Sequence, residues 1–151
     1  MVVVIVANAP DLDAAPFRER IAAAGRRVAA DGGALPLMRL GLLPHVVIGD
    51  MDSLDVAALD VLAASGTELR RFRRDKDETD LELALLYAAE QAAQTIDIIG
   101  ALGGRWDHTL ANVALLALPE LRGRQVRMLA PGQTLMLVPG ALDIAGKVDD
   151  T

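Results

Sequence analysis

The chain has 151 residues, with 15 lysines and arginines against 21 aspartates and glutamates, for a formal charge of −6. That length suits one domain with a buried core, and 52% hydrophobic with 24% charged residues excludes disorder. No apolar run approaches the roughly 18–20 residues of a membrane span. Net negative charge disfavours nucleic acid as a partner, because phosphate binding needs clustered cations. The apolar start lacks the basic flank of a signal peptide. Cysteine is absent, which removes thiolate nucleophiles and thiolate metal sites, so the expectation is a soluble cytoplasmic protein with no membrane partner.

In chain order, the β-branched run Val2–Ala7 predicts a strand buried on both faces. Phe17, Ile21 and Ala24 recur at helical spacing up to Gly25, a helix stop. Arg27–Ala30 reads as a second strand, followed by a short helix ending at Gly41. A third strand is expected at His45–Ile48, then a helix through Val56, Leu59 and Ala63, closed by Gly66. Glu68–Phe72 makes a fourth strand. Leu81, Ala84, Leu85 and Ala88 give an amphipathic helix from Thr79 to about Gln91, and Thr79-Asp80-Leu81-Glu82 matches a capping box. Thr95–Ile99 is the fifth strand, Leu110 to Ala117 a helix stopped before Pro119, and Gln125–Leu129 the sixth strand. Alternating strands and helices predict an α/β fold: a three-layer α/β/α, Rossmann-like domain with a mostly parallel sheet of about six strands.

After Pro131-Gly132 the texture changes. Two short strands, Thr134–Val138 and Ala141–Ile144, are separated by a Pro-Gly turn. The division expected is an α/β domain over residues 1–131, with residues 132–151 as the first strands of an incomplete β-rich domain.

Of the 21 acids, 15 are aspartate, a residue suited to turns, helix starts and hard cations. The unusual polar residues follow the strands: Asn8 and Asp11 after the first, Asp31-Gly32-Gly33 after the second, and Asp50-Met51-Asp52-Ser53 after the third. Asp75 to Asp80 follow the fourth, and Gly100 to His108 the fifth. In an open parallel sheet these loops share the edge where ligands bind. Each residue also has a purely structural reading. Asp52 or Ser53 would cap the helix near Val56, Asp31 would serve a turn, Asp107 would serve a helix start, and His108 would be a hydrogen-bonded structural histidine. Trp106, the only tryptophan, is expected to pack, and the run Arg70–Arg74 to form a solvated face.

Two serines and no Gly-x-Ser-x-Gly exclude a hydrolase triad, and two distant histidines exclude zinc. Neither a Walker A loop nor a dinucleotide fingerprint is present. Aspartate oxygens with Lys76 and Arg105 near them in sequence remain. Oxygen-only ligation suits Mg²⁺ with substrate phosphates, and Asp50 and Asp52, two apart in a turn, can serve one site with Asp80.

Three segments together resemble thiamine pyrophosphokinase. They are Ala30-Asp31-Gly32-Gly33-Ala34 with Ile48-Gly49-Asp50-Met51-Asp52-Ser53, then Lys76-Asp77-Glu78-Thr79-Asp80, then Gly103-Gly104-Arg105-Trp106-Asp107-His108 with Asn112. The resemblance covers about residues 1–130, the family's catalytic α/β domain. It implies transfer of diphosphate from ATP to the hydroxyl of thiamine, giving thiamine diphosphate and AMP, by a cytoplasmic homodimer. By resemblance Asp50, Asp52 and Asp80 are the catalytic Mg²⁺ and triphosphate ligands. Asp31, Gly32, Gly104, Arg105 and Asp107 are nucleotide-binding, and Lys76, Asp77 and His108 substrate-binding. The family's second, β-rich domain is expected to be only begun here, leaving the thiamine pocket incomplete. Two other readings remain: diphosphate transfer to another alcohol such as a pterin, and a nucleotide-binding module without catalysis.

Overall fold

The computed structural model describes residues 1–9, 11–138 and 140. The strand expected at 141–144 and the tail after it lie outside them. The strands are β1 (Val2–Val6), β2 (Arg26–Ala30), β3 (Val46–Gly49), β4 (Glu68–Arg71), β5 (Thr95–Ile99), β6 (Gln125–Ala130) and β7 (Gln133–Met136). The helices are α1 (Arg18–Ala23), α2 (Ala34–Arg39), α3 (Val56–Ala64), α4 (Asp80–Glu90) and α5 (Trp106–Ala114). All seven strands form one sheet in the order β4-β3-β2-β1-β5-β6-β7. The first six run parallel, and only β7 is antiparallel, against β6. The α/β architecture is therefore as expected, with one strand more.

That seventh strand is the segment expected to open a β-rich unit. The Pro131-Gly132 turn, with Gly132 at φ +71°, reverses the chain, so Gln133 pairs with Ala130 and Met136 with Arg127.

The sheet is covered on both faces, which is why its central strands carry apolar side chains on both faces rather than alternating apolar and polar. Val3, Ile5, Val28, Val46, Ile96 and Ile98 face a core closed by Leu81, Leu85 and Ala88 of α4 and by Leu116 and Leu121. Val4, Val6, Ala29, Val47 and Ile99 face the other, closed by Ile21 of α1, Leu37 of α2 and Leu62 of α3. Two helices are shorter than their periodicity implies. Ala24 is extended at ψ 134°, ending α1, and beyond Ala114 the chain tightens into a 3₁₀ turn at Leu115–Ala117.

Two aspartates are buried among the described residues, Asp31 at a strand end and Asp97 within the sheet. Asp97 of β5 is fully buried, receiving Arg127 from β6 at 2.7 and 3.0 Å and Arg20 from α1 at 2.7 Å. Buried carboxylates persist only when paired in this way, and this one ties α1 to the sheet. Among the described residues, no helix is long and apolar enough to cross a membrane.

Candidate functional site

Strand order reverses at β1, which lies between β2 and β5. Loops at the carboxyl ends of strands around such a reversal form the usual binding crevice of open α/β sheets. Three aspartates are delivered there by three different devices. Asp31 leaves β2 directly into a 3₁₀ turn, Asp31–Gly33, at φ +45°, a conformation aspartate tolerates better than most residues. Gly33 makes this turn possible, since a Cβ there would lie 2.0 Å from the carbonyl oxygen of Val6. Asp50 follows Gly49, which ends β3 at φ +152°. Asp80 opens α4, whose N-cap Thr79 accepts the Glu82 N–H at 3.1 Å. This is the expected cap.

One carboxylate oxygen from each of Asp31, Asp50 and Asp80 lies within 4.8 Å of the others. Asp31 is buried, only 2% exposed. Its Oδ2 accepts from the Asn8 amide at 3.1 Å, while Oδ1 is buried without a partner. Burial raises the Asp80 carboxyl above its ordinary value, and the charges of Asp31 and Asp50 add to the rise; Lys76, with Nζ 2.7 Å from Asp80 Oδ1, opposes both. The Asp50 carboxyl is lowered, chiefly because its Oδ1 accepts the Asp52 backbone N–H at 3.0 Å. Three converging carboxylates with an unsatisfied buried oxygen fit a hard divalent cation such as Mg²⁺, which takes oxygen donors.

Asp52, expected in this set, is outside it. Its backbone closes the turn onto Asp50, its side chain is half exposed, and its nearest cation is Arg74 at 3.6 Å. Asp31, expected only beside the nucleotide, takes its place. Nor do Asp52 and Ser53 cap α3: that cap is Asp55, whose Oδ1 accepts the Ala58 N–H at 2.7 Å.

The loop after β5 reaches the same edge as a separate group. Gly103 and Gly104 turn at φ +101° and +70°, and Arg105 leads into α5. Arg105 grips Asp107 with two hydrogen bonds, which hold the Asp107 carboxyl down at about 2. Asn112 donates to Ala101 O at 2.8 Å and Thr109 to Gly103 O at 3.0 Å, fixing this loop to α5. Trp106 does not pack: it is 80% exposed, because it is the first residue of a helix none of whose residues is fully buried. His108 and Asp77 are exposed as well, and no side-chain hydrogen bond of His108 supports a structural role among the described residues. The arginine run is solvated at Arg71, Arg73 and Arg74, whereas Arg70 stacks 4.5 Å over Tyr87.

Sequence reasoning assigned no role to Gly49 or Asn8, and to Ser53 only the helix cap that Asp55 provides instead. A Cβ at Gly49 would stand 3.0 Å from both Asp31 Cβ and Asp80 Cγ, so glycine admits two acids at once. Asn8 Nδ2 joins Asp31 to Ser53 Oγ at 3.0 Å. Their sequence signal is position, at the end of β3 or in the loops that follow β1 and β3. A cavity of about 410 Å³ lies at the opposite ends of β2, β3 and β4, against Arg26, Arg27, His45 and Glu68. None of the expected site residues lines it.

The sequence matches the family model described as thiamin pyrophosphokinase, catalytic domain, over residues 17–128. It is 32% identical over 118 residues to thiamine pyrophosphokinase of Bacillus subtilis, spanning 78% of this chain and 55% of that protein. It is 36% identical over 111 residues to thiamine pyrophosphokinase 1 of Arabidopsis thaliana, spanning 60% of this chain and 42% of that one. The crystal structure of a thiamin pyrophosphokinase family protein from Enterococcus faecalis superposes with a TM-score of 0.70 at 32% identity, over 85% of this chain and 61% of that one. The chain spans about half the length of the curated relatives it matches. Matched over most of its length, the chain belongs to the thiamin pyrophosphokinase family and carries the fold of its catalytic domain.

Proposed function

We propose that this chain provides the nucleotide-binding part of an enzyme transferring diphosphate from ATP to the hydroxyl of thiamine, with thiamine diphosphate and AMP as products. The observation that carries the reading is the convergence of Asp31, Asp50 and Asp80 from three loops, on a chain of this family. In the reaction the thiamine hydroxyl oxygen forms a bond to the β-phosphorus. The bond from that phosphorus to the oxygen bridging to the α-phosphorus breaks, AMP leaves with that oxygen, and the hydroxyl proton passes to a base.

Asp31, Asp50 and Asp80 would hold Mg²⁺, which when bound supplies charge neutralisation for the triphosphate. Lys76 and Arg105 would meet phosphate oxygens; among the described residues each pairs with an acid of its own loop region. Exchange of a carboxylate partner for a phosphate keeps each cation's hydrogen bonds. Gly32, Gly104 and Asp107 belong to the nucleotide side, Asp77 and His108 to the acceptor side, and an aspartate of the acidic set takes the proton. Homodimeric assembly in the cytoplasm belongs to the same reading, which a cysteine-free sequence suits.

The test is product identity. Incubating the complete enzyme of which this chain would be the nucleotide-binding part with ATP, Mg²⁺ and thiamine is expected to yield AMP and thiamine diphosphate in equal amounts. ADP as the nucleotide product would overturn diphosphate transfer. AMP formed with a pterin alcohol but not with thiamine would overturn the acceptor.

A further inference from the structure

The three acids need something besides a cation to keep them in register, because like charges this close repel. Asp31 is the most exposed to this problem, being buried and held at a positive φ. Its only side-chain hydrogen bond among the described residues is from Asn8. Asn8 stands at the carboxyl end of β1, and both protons of its amide are committed. One goes to Asp31 Oδ2 at 3.1 Å and the other to Ser53 Oγ at 3.0 Å. The acceptors fix the amide's orientation, since a carboxylate takes only the NH₂ end. Ser53 Oγ in turn donates to Asp52 Oδ1 at 3.4 Å, and the Asp52 N–H donates to Asp50 Oδ1 at 3.0 Å. One continuous chain of hydrogen bonds therefore runs from Asp31 through Asn8, Ser53 and Asp52 to Asp50.

We propose that Asn8 is a positioning residue for the cation site: its amide locks the Asp31 carboxylate so that Oδ1 stays free for the metal, and couples it through Ser53 to the Asp50 loop. The inference rests on the metal reading of the previous subsection. Partners of this kind, which orient a ligand without touching the ion, typically change metal affinity about 10- to 100-fold. The same geometry explains Gly32. A Cβ there would lie 2.4 Å from Asn8 Oδ1 and 2.8 Å from its Cγ, and 3.0 Å from Ser53 Cβ. The atoms in the way are mostly the movable end of one side chain, so an alanine would displace Asn8 and leave the fold in place. Glycine at 32 is what lets the amide lie flat against the turn.

The experiment is Mn²⁺ binding to the full chain without nucleotide, followed by electron paramagnetic resonance, with thermal unfolding measured alongside. Asn8→Ala and Gly32→Ala are each expected to weaken binding about tenfold or more with cooperative unfolding retained. In the double variant the second change is expected to add nothing, because both break one contact. Ser53→Ala, which removes only the far anchor, is expected to weaken binding less than Asn8→Ala. Unchanged Mn²⁺ affinity in Asn8→Ala, while Asp31→Asn loses binding, overturns the role of Asn8 and leaves the metal site standing. Additive losses in the double variant also overturn it, since Gly32 would then act by another route. Absence of Mn²⁺ binding by the unaltered chain overturns the metal reading, and this inference with it.

Discussion

Lys76 Nζ lies 2.7 Å from Asp80 Oδ1, four residues further along the chain, and both side chains are largely shielded from water. This pair balances the most crowded carboxylate of the cluster. Burial and two neighbouring acids raise the Asp80 carboxyl, and Lys76 is what limits the rise.

Lys76→Met removes that restraint. A carboxyl whose folded pKa is raised above its unfolded value costs stability at neutral pH, and the cost disappears as pH falls through the folded pKa towards the ordinary carboxylate value. The variant is expected to lose about 1–2 kcal/mol at pH 7 without divalent cation, between the values for exposed and fully buried pairs. Its deficit relative to the unaltered chain should shrink on mild acidification. Melting temperature against pH, with chelator present, checks both statements.

Asp31, Asp50 and Asp80 are expected to behave alike and Asp52 differently. Changing any of the first three to Asn should weaken divalent-cation binding by more than about 100-fold, exceeding the loss typical of an orienting partner. Asp52→Asn should weaken it far less, because its carboxylate stands outside the group. Calorimetric titration of Mg²⁺ or Mn²⁺ into the four variants ranks them, and an Asp52→Asn loss as large as the others contradicts the geometry.

Gly49→Ala introduces a methyl group 3.0 Å from Asp31 Cβ and Asp80 Cγ, at a φ of +152° that side chains avoid. Strain of this type costs about 1–3 kcal/mol. Urea unfolding should show that loss, and cation binding should weaken because the two acids are pushed apart.

Asp107 carries its own titration signature. The Arg105 guanidinium beside it holds its carboxyl at about 2, so any stabilisation from this pair is present above the ordinary carboxylate value and is lost only as pH falls through the depressed one. Carbonyl-carbon NMR should give a midpoint near 2 for Asp107, returning towards the usual range in Arg105→Ala.

Asp97→Asn tests the strut between α1 and the sheet. It leaves Arg20 and Arg127 without their shared carboxylate, a change expected to cost about 3–5 kcal/mol, as for other broken buried pairs. Chemical denaturation measures it, and cation binding should persist in whatever fraction stays folded.

The amino-acid sequence by itself determined the alternation of strands and helices, the apolar strands of a doubly covered sheet, the Thr79 cap and the strand-end position of Asp31, Asp50 and Asp80. These follow from periodicity and local chemistry, which neighbouring residues express without help from distant ones. Tertiary structure decided which acids meet. Asp50 and Asp52 share a turn, but the backbone N–H of the second folds onto the carboxylate of the first and turns its own side chain outward. Asp31, 19 residues earlier in the chain, enters through the pairing of β2 with β3 and the missing side chain of Gly49. It also decided that Trp106 is exposed and that β7 joins the main sheet. Convergence of charges depends on strand order and on close approach between separate loops, and neither has a period that a linear sequence displays.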